Sequence, residues 1–247
     1  MSEDYKTGLF SVTLQGLYPL DRKPHSYPQI KIIDTFLCRQ HKILFKDLHI
    51  KRVVDSFRYF ECPLDLETLQ KLYDEFENDI EVVPDGDLKI RVEFSLSPNF
   101  EFKTDVVTMD QLDVPFELVP AKVGEQKAGL GIGNFKTTAR VYWDQNQNLI
   151  KKSNGQDVLG INEYGKVTET SRFNLFFQTG DQMFTPTLQS GCLDGVFRRH
   201  CLNQGYVEFE NKKYPLREKD FTLTEIKGLT VWVGNSVRGL LHANLFV

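Results

Sequence analysis

The sequence predicts an α+β protein in two domains, a small N-terminal unit and a larger C-terminal one, on three observations. Leu88, Ile90, Val92, Phe94 and Leu96 alternate with Lys89, Arg91, Glu93 and Ser95, the period-two pattern of a strand with one buried face. Asp47 to Phe60 instead carries Ile50, Val53, Val54, Phe57 and Phe60 at helical spacing, giving one apolar stripe. Val119 to Asn134 then breaks both periods with Pro120, Gly124, Gly129, Gly131 and Gly133, as an interdomain connection would. The expected division is therefore residues 1–120, a connection over 121–134, and residues 135–247.

Taken in order, the apolar run Ile30 to Cys38 reads as a strand that leads into the Asp47 to Phe60 helix. On that helix His49, Arg52 and Ser56 share a stripe one step around from the apolar one, so they border the buried face and can reach a cleft. After the Cys62-Pro63 break, Leu66, Leu69, Tyr73 and Phe76 mark a second helix with Asp65 as its N-cap. Asp85-Gly86-Asp87 is the turn into the alternating strand. In the second half Thr137 to Asn148 reads as a helix, and Val158 to Ile161 and Lys166 to Phe177 as two strands joined by the turn Asn162-Glu163-Tyr164-Gly165. Leu193 to Asn203 is a third helix, and Leu229, Val231 and Val233 mark a last strand that runs into Asn235-Ser236.

Composition narrows the function classes. The 247 residues are 40% hydrophobic and include 19 Phe, enough apolar material for a core in each domain. Thirty Lys and Arg against 34 Asp and Glu leave a net charge of -4 without a basic block, which argues against a nucleic-acid partner. No apolar run approaches the roughly 20 residues needed to cross a bilayer, and Met1 to Gly16 lacks the features of a signal peptide, so the expectation is a cytoplasmic protein with no membrane partner. Cys38, Cys62, Cys192 and Cys201 are scattered without a C-x-x-C pair; they read as reduced packing residues, and no metal site is expected.

Three blocks of the second half carry more specific information. They are N-F-K-T-T-A-R at Asn134 to Arg140, N-E-Y-G-K-V-T-E-T-S-R-F-N-L-F at Asn162 to Phe176, and T-P-T-L-Q-S-G-C-L-D-G-V-F-R at Thr185 to Arg198. In order and spacing they resemble the signature blocks of the class IV aminotransferases, the fold-type IV group of pyridoxal-phosphate enzymes. L-H-I-K-R at Leu48 to Arg52 is similar to that family's L-x-x-H-x-x-R helix. The resemblance covers roughly residues 30 to 240. It implies a two-domain fold like that of D-amino-acid aminotransferase, pyridoxal 5'-phosphate as cofactor, a small amine or amino-acid-like substrate, and a homodimer whose active sites lie between the domains.

There are departures from the family pattern. Asp21-Arg22 corresponds to a family Asp-Arg, but the glycines that usually follow are replaced by Pro24-His25-Ser26-Tyr27-Pro28. Arg172 and Phe173 bring bulk where relatives often carry glycine, beside the expected cofactor pocket. The chain ends at Val247 soon after the last expected strand, so the terminal element common in relatives is expected to be short or missing.

Pyridoxal phosphate draws electrons from an amine-bearing carbon into a protonated ring, so a protein must supply an amine, a partner for the ring nitrogen and a phosphate cup. The resemblance assigns these to named residues. Lys136 is implied as the lysine that holds the cofactor and shuttles the proton, which needs a lowered pKa. Glu169 is implied as the partner of the pyridinium N–H. Arg52 is implied as the phosphate clamp, with backbone N–H groups of Val196 and Phe197 at a helix start and the pair Asn235 and Ser236 as further phosphate contacts. The plainer readings are an exposed lysine, a solvated strand glutamate, a helix salt bridge and a simple turn.

The substrate is less clearly marked. Asn235-Ser236-Val237-Arg238-Gly239 resembles the N-S-L-R-G of aminodeoxychorismate lyases, and Gly195 to Arg198 lacks the Thr of the aminotransferases' G-I-T-R. Both favour the lyase, which splits 4-amino-4-deoxychorismate into 4-aminobenzoate and pyruvate in folate synthesis. The proline that usually follows the lyase block is replaced by Leu240-Leu241-His242, which keeps a branched-chain or D-amino-acid aminotransferase as the alternative. A non-catalytic protein that has kept the cofactor scaffold is the third reading.

Overall fold

The computed structural model describes residues 10–13, 16–19, 30–79, 87–97, 100–107, 109, 111–123, 126–153 and 155–245. The readings placed on Asp21 to Pro28, Asp85-Gly86 and Gly124 lie outside the described residues. β1 (Phe10–Thr13) and β2 (Gly16–Pro19) form an antiparallel pair of their own.

The small domain is an antiparallel sheet of β3 (Lys31–Arg39), β4 (Lys42–Ile43), β5 (Leu88–Ser95) and β6 (Phe102–Val107), in the order β4-β3-β5-β6. Against one face pack α1 (Lys46–Tyr59) and α2 (Leu66–Asp79). Asp65 Oδ1 accepts the Glu67 N–H at 3.0 Å, as expected of an N-cap. Ile90, Val92 and Phe94 of β5 meet Val53, Phe57, Leu69 and Tyr73 of the helices in one core. β3 is buried on both faces, which is why it reads as a continuous apolar run. Beyond β4 its edge meets the large domain, where the Ile33 N–H donates to the Lys136 carbonyl at 2.7 Å.

The large domain adds β7 (Phe116–Pro120), α3 (Val141–Lys152), β8 (Asp157–Ile161), β9 (Val167–Thr170), β10 (Asn174–Thr179), β11 (Gln182–Thr185), α4 (Val196–Gln204), β12 (Tyr206–Phe209), β13 (Lys212–Glu218), α5 (Leu223–Ile226), β14 (Thr230–Asn235) and β15 (Gly239–Leu245). Six strands, in the order β10-β14-β15-β7-β8-β9, close into a barrel because β9 pairs back to β10 at Glu169 and Asn174. Phe116, Leu118, Leu159, Phe173, Leu175, Phe177, Val231 and Val233 fill it. β11, β13 and β12 extend the sheet outward from β10. β7 ends on Pro120, ahead of the expected 121–134 connection, yet runs in the barrel between β15 and β8.

Several elements differ from the sequence reading. Lys166 to Phe177 is not one strand but the hairpin β9–β10. Its tight turn is closed by the Thr170 N–H donating to the Phe173 carbonyl at 2.8 Å, while Thr170 Oγ1 accepts the Phe173 N–H at 3.0 Å. A threonine hydroxyl supports this turn without a Gly or Asn to announce it. The Thr137 to Asn148 helix starts only at Val141, because Thr137 and Thr138 are pinned in extended form to β3. The Thr138 N–H donates to the Lys31 carbonyl, and Thr138 Oγ1 accepts the Lys31 N–H, both at 2.9 Å. The third helix likewise starts at Val196, three residues late. β14 is also not the last strand: β15 follows and completes the barrel beside β7.

Candidate active site

A cleft of about 390 Å³ lies between the barrel rim and the exposed-side face of the small sheet. Arg52, Lys136, Glu169, Val196, Asn235 and Ser236 all line it, having come from α1, the segment before α3, β9, α4 and the β14–β15 turn. The side chain of Phe197 does not; it packs against Phe45 and Phe176 under Gly234, so only its backbone could serve the cleft.

Lys136 is half-buried, on the extended stretch that bridges to β3. Burial, then the Arg52 guanidinium, push its amine down to about 7, with the Asp34 carboxylate opposing. The amine is thus poised to exchange protons near neutrality.

Glu169 sits on β9 opposite Asn174, and the residue is 7% exposed. Burial pushes it up to about 8, against the Leu193 backbone N–H and the charges of Arg140 and Arg198. Asn174 fixes the same stretch from the other side, its Nδ2 donating to the Leu193 carbonyl at 2.9 Å. Gly195 is required there, because a Cβ would stand 1.9 Å from Asn174 Oδ1. This clip sets where α4 begins. Its first helical bond runs from the Arg199 N–H to the Gly195 carbonyl at 2.8 Å, so the N–H groups of the first turn precede the ladder and face outward as donors.

Arg52 is 5% exposed, forms a buried salt bridge and lines the cleft. Its partner is Asp34 of β3, which also accepts from His49 Nδ1 at 2.9 Å and from the Tyr73 hydroxyl. Burial works to raise the Asp34 pKa, but His49, Arg52 and the hydrogen bonds outweigh it and hold the carboxylate well below its ordinary range. Burial lowers the pKa of His49, so the imidazole is neutral and donates through Nδ1. Arg52 Nε is buried without a hydrogen-bond partner among the described residues.

Asn235 is partly a turn residue, as the plainer reading had it. Its Oδ1 accepts the N–H groups of Val237 and Arg238 at 3.0 and 2.8 Å. Ser236 Oγ donates to the Thr35 carbonyl at 3.5 Å, tying the turn to the small domain. Arg172 and Phe173 both line the cleft, but their bulk is engaged with the barrel. Phe173 stacks edge-on with Phe116, and Arg172 lies over Phe116 with its Nη2 donating to the Gln156 carbonyl at 3.0 Å.

Sequence reasoning missed Asp34, Tyr73 and the carboxylate-facing backbone of Leu193. Asp34 had one available signal, an acid inside the otherwise apolar Ile30 to Cys38 run, which only a buried cation would tolerate. Among the described residues no group of His, Cys, Asp and Glu is arranged to hold a metal ion, and no helix is long and apolar enough to cross a membrane.

The closed barrel with a small α+β sheet over its rim is the fold-type IV architecture. Solved structures agree: a 4-amino-4-deoxychorismate lyase from Pseudomonas aeruginosa superposes with a TM-score of 0.68 at 16% identity, covering 87% of this chain and 82% of that one. A fold IV-transaminase from Curtobacterium pusillum superposes with a TM-score of 0.74 at 14% identity, covering 87% and 78%. The amino-transferase class IV profile matches residues 31–245, and the chain belongs to that family. A curated relative from Bacillus subtilis, named aminodeoxychorismate lyase, is 29% identical over 224 residues, 83% of this chain and 69% of the relative. In the curated relatives from Schizosaccharomyces pombe and Vibrio harveyi the match spans about half of their length, 54% and 50%.

Proposed function

We propose that the protein is a pyridoxal-phosphate-dependent aminodeoxychorismate lyase that converts 4-amino-4-deoxychorismate to 4-aminobenzoate and pyruvate. The observation that carries the cofactor is the convergence of an amine pushed down to about 7, a buried carboxyl and the Arg52 guanidinium on one cleft. These groups fit pyridoxal phosphate in charge and chemistry. Arg52 and the N–H groups of Val196 and Phe197 would hold the phosphate, with Asn235 and Ser236 beside it. Glu169 would take the ring N–H. A cationic partner at that point returns its carboxyl to the ionised form that burial disfavours.

When bound, the cofactor supplies an aldehyde that captures the substrate amine and a ring that withdraws electrons from the adjacent carbon. Lys136 Nζ would remove the proton from that carbon. The C–O bond to the enolpyruvyl group then breaks, the ring becomes aromatic, and the lysine returns the proton to the leaving enolpyruvate to give pyruvate. Atoms balance without a second substrate.

The choice of lyase is supported by the Asn235 to Gly239 block, whose turn lines the cleft, and by the name of the Bacillus subtilis relative. An aminotransferase is the second reading, favoured by Leu240-Leu241-His242 in place of the usual proline. Cofactor-loaded protein given 4-amino-4-deoxychorismate and no keto acid is expected to release pyruvate and 4-aminobenzoate in equal amounts over many turnovers. A requirement for 2-oxoglutarate would replace the lyase by the aminotransferase. Borohydride should fix the cofactor on Lys136; a label on another lysine would overturn the site.

A further inference from the structure

We infer that Arg199 is a positioning residue for the cofactor phosphate: by tying α4 to Asp55 of α1, it sets the gap between the α4 donors and the Arg52 guanidinium. This rests on the cofactor site proposed in the same cleft.

A phosphate shared between two domains needs donors from both at once. Hydrogen bonds to its oxygens hold only over a narrow range, about 2.7 to 3.2 Å, so the distance between the two sets of donors matters as much as their identity. Each set is rigid within its own domain. Arg52 is held by Asp34 of β3 in a buried salt bridge, and the start of α4 by the Asn174 to Leu193 hydrogen bond beside Gly195. Neither set can follow if the other moves. The separation of α1 from α4 is therefore the dimension that these local contacts leave open.

Arg199 spans that separation without lining the cleft. Its backbone N–H closes the first helical bond of α4 on the Gly195 carbonyl at 2.8 Å, and its Nη2 and Nε donate to Asp194 Oδ2 at 2.6 and 3.2 Å. One residue thus holds the first turn by backbone and side chain together. The same Nη2 lies 3.2 Å from Asp55 Oδ2, and Asp55 stands three residues beyond Arg52, on the neighbouring turn of α1. A planar fork can serve two carboxylates at once, which a single ammonium does less well. Asp55 also meets Lys51 at 3.3 Å and Arg58 at 3.6 Å, but those side chains are 58% and 76% exposed against 14% for Arg199. Pairs so open to water contribute little, which leaves Arg199 as the partner that matters. At the other end of α1, the Phe45 ring lies 6.5 Å from that of Phe197 and 4.5 Å from that of His200. α4 is fastened to α1 ahead of Arg52 by rings and beyond it by the ion pair, so the pair stops a helix that would otherwise pivot about the rings.

Pyridoxal keeps the ring and aldehyde of the cofactor but lacks its phosphate, so titrating the full chain with pyridoxal phosphate and with pyridoxal separates the phosphate cup from the rest of the site. Arg199→Met keeps the aliphatic stem and removes the fork. It is expected to weaken pyridoxal phosphate about tenfold, the scale of one charged contact, and to leave pyridoxal unchanged, with Arg199→Lys recovering part of the loss. Asp55→Asn leaves the Arg199 to Asp194 contact in place; it should show the same phosphate-specific loss, and it provides the reading if Arg199→Met does not fold. The two changes combined should lose no more than Arg199→Met alone, since both cut one tie. A loss shared equally by the two ligands would mean general loosening and overturn the role, as would full pyridoxal phosphate affinity in both variants. A parent protein that binds pyridoxal phosphate no more tightly than pyridoxal would remove the phosphate cup itself, and with it both the cofactor reading and this role.

Discussion

Glu169 shows how one residue's environment sets its task. A solvated glutamate would be ionised and already hydrated, and would gain little from a pyridinium. Buried on β9, it is pushed up to about 8, so an ionised carboxylate becomes favourable there when a cation arrives. The same shift has a consequence for the cofactor-free protein. The folded-state pKa lies above the ordinary 4.5, so the folded protein binds more protons than the unfolded chain between about 4.5 and 8. Stability from this group is therefore full below the lower value and is lost as pH rises through the upper one. Glu169→Gln should flatten the denaturation midpoint over that window. It should retain the cofactor yet slow turnover by about 10², the scale for loss of a pre-placed charge. A midpoint profile and rate unchanged from the parent would remove Glu169 from both roles.

At the scale of elements, the hairpin β9–β10 and the start of α4 act as one unit. Glu169 and Asn174, paired across the hairpin, grip Leu193 through its N–H and its carbonyl. The residue proposed to take the ring nitrogen and the helix N-terminus are thus set by the same three segments. Gly195→Ala would drive a methyl into Asn174 Oδ1, and since the amide is held, either the helix start or the clip must move. The expected loss is about 1 to 3 kcal/mol of stability, typical of overpacking, together with a cofactor affinity weakened about tenfold. Fluorescence titration with pyridoxal phosphate measures the second effect; unaltered affinity would show that the clip does not set the phosphate cup.

The whole molecule places the cleft where two cores meet. Arg199 of α4 spans the gap, its Nη2 lying 3.2 Å from Asp55 on α1 and 2.6 Å from Asp194. Because Arg52 belongs to the small domain and the α4 donors to the barrel, a ligand gripping both should tie their unfolding together. Cofactor at a hundredfold excess over its Kd should add about 2.7 kcal/mol to the protein as a unit. Scanning calorimetry is expected to show one transition moved upward. A shift confined to one of two transitions would place the cofactor within a single domain. The homodimer implied by the family resemblance is tested directly by sedimentation.

What the sequence determined by itself was local. Periodicity located β3, α1, α2 and β5, since a face buried every second or every 3.6 residues leaves its mark within a dozen positions. The family blocks pointed to Lys136, Glu169, Arg52 and the Asn235–Ser236 turn, and these stand together on one cleft. Tertiary structure decided the rest, because it depends on partners remote in the chain. Closure of the barrel needs β7 beside β15, and Asn244 Nδ2 reaches Glu117 across 127 residues of chain. Ser236 meets Thr35 across 201. Thr137 and Thr138 fall within the expected helix but are held against β3, because β-branched residues have little helical preference to set against hydrogen bonds to Lys31. Asp34 reads as an anomaly in an apolar strand until His49, Arg52 and Tyr73 are folded around it, and a buried carboxylate is tolerable only where such donors and a cation converge.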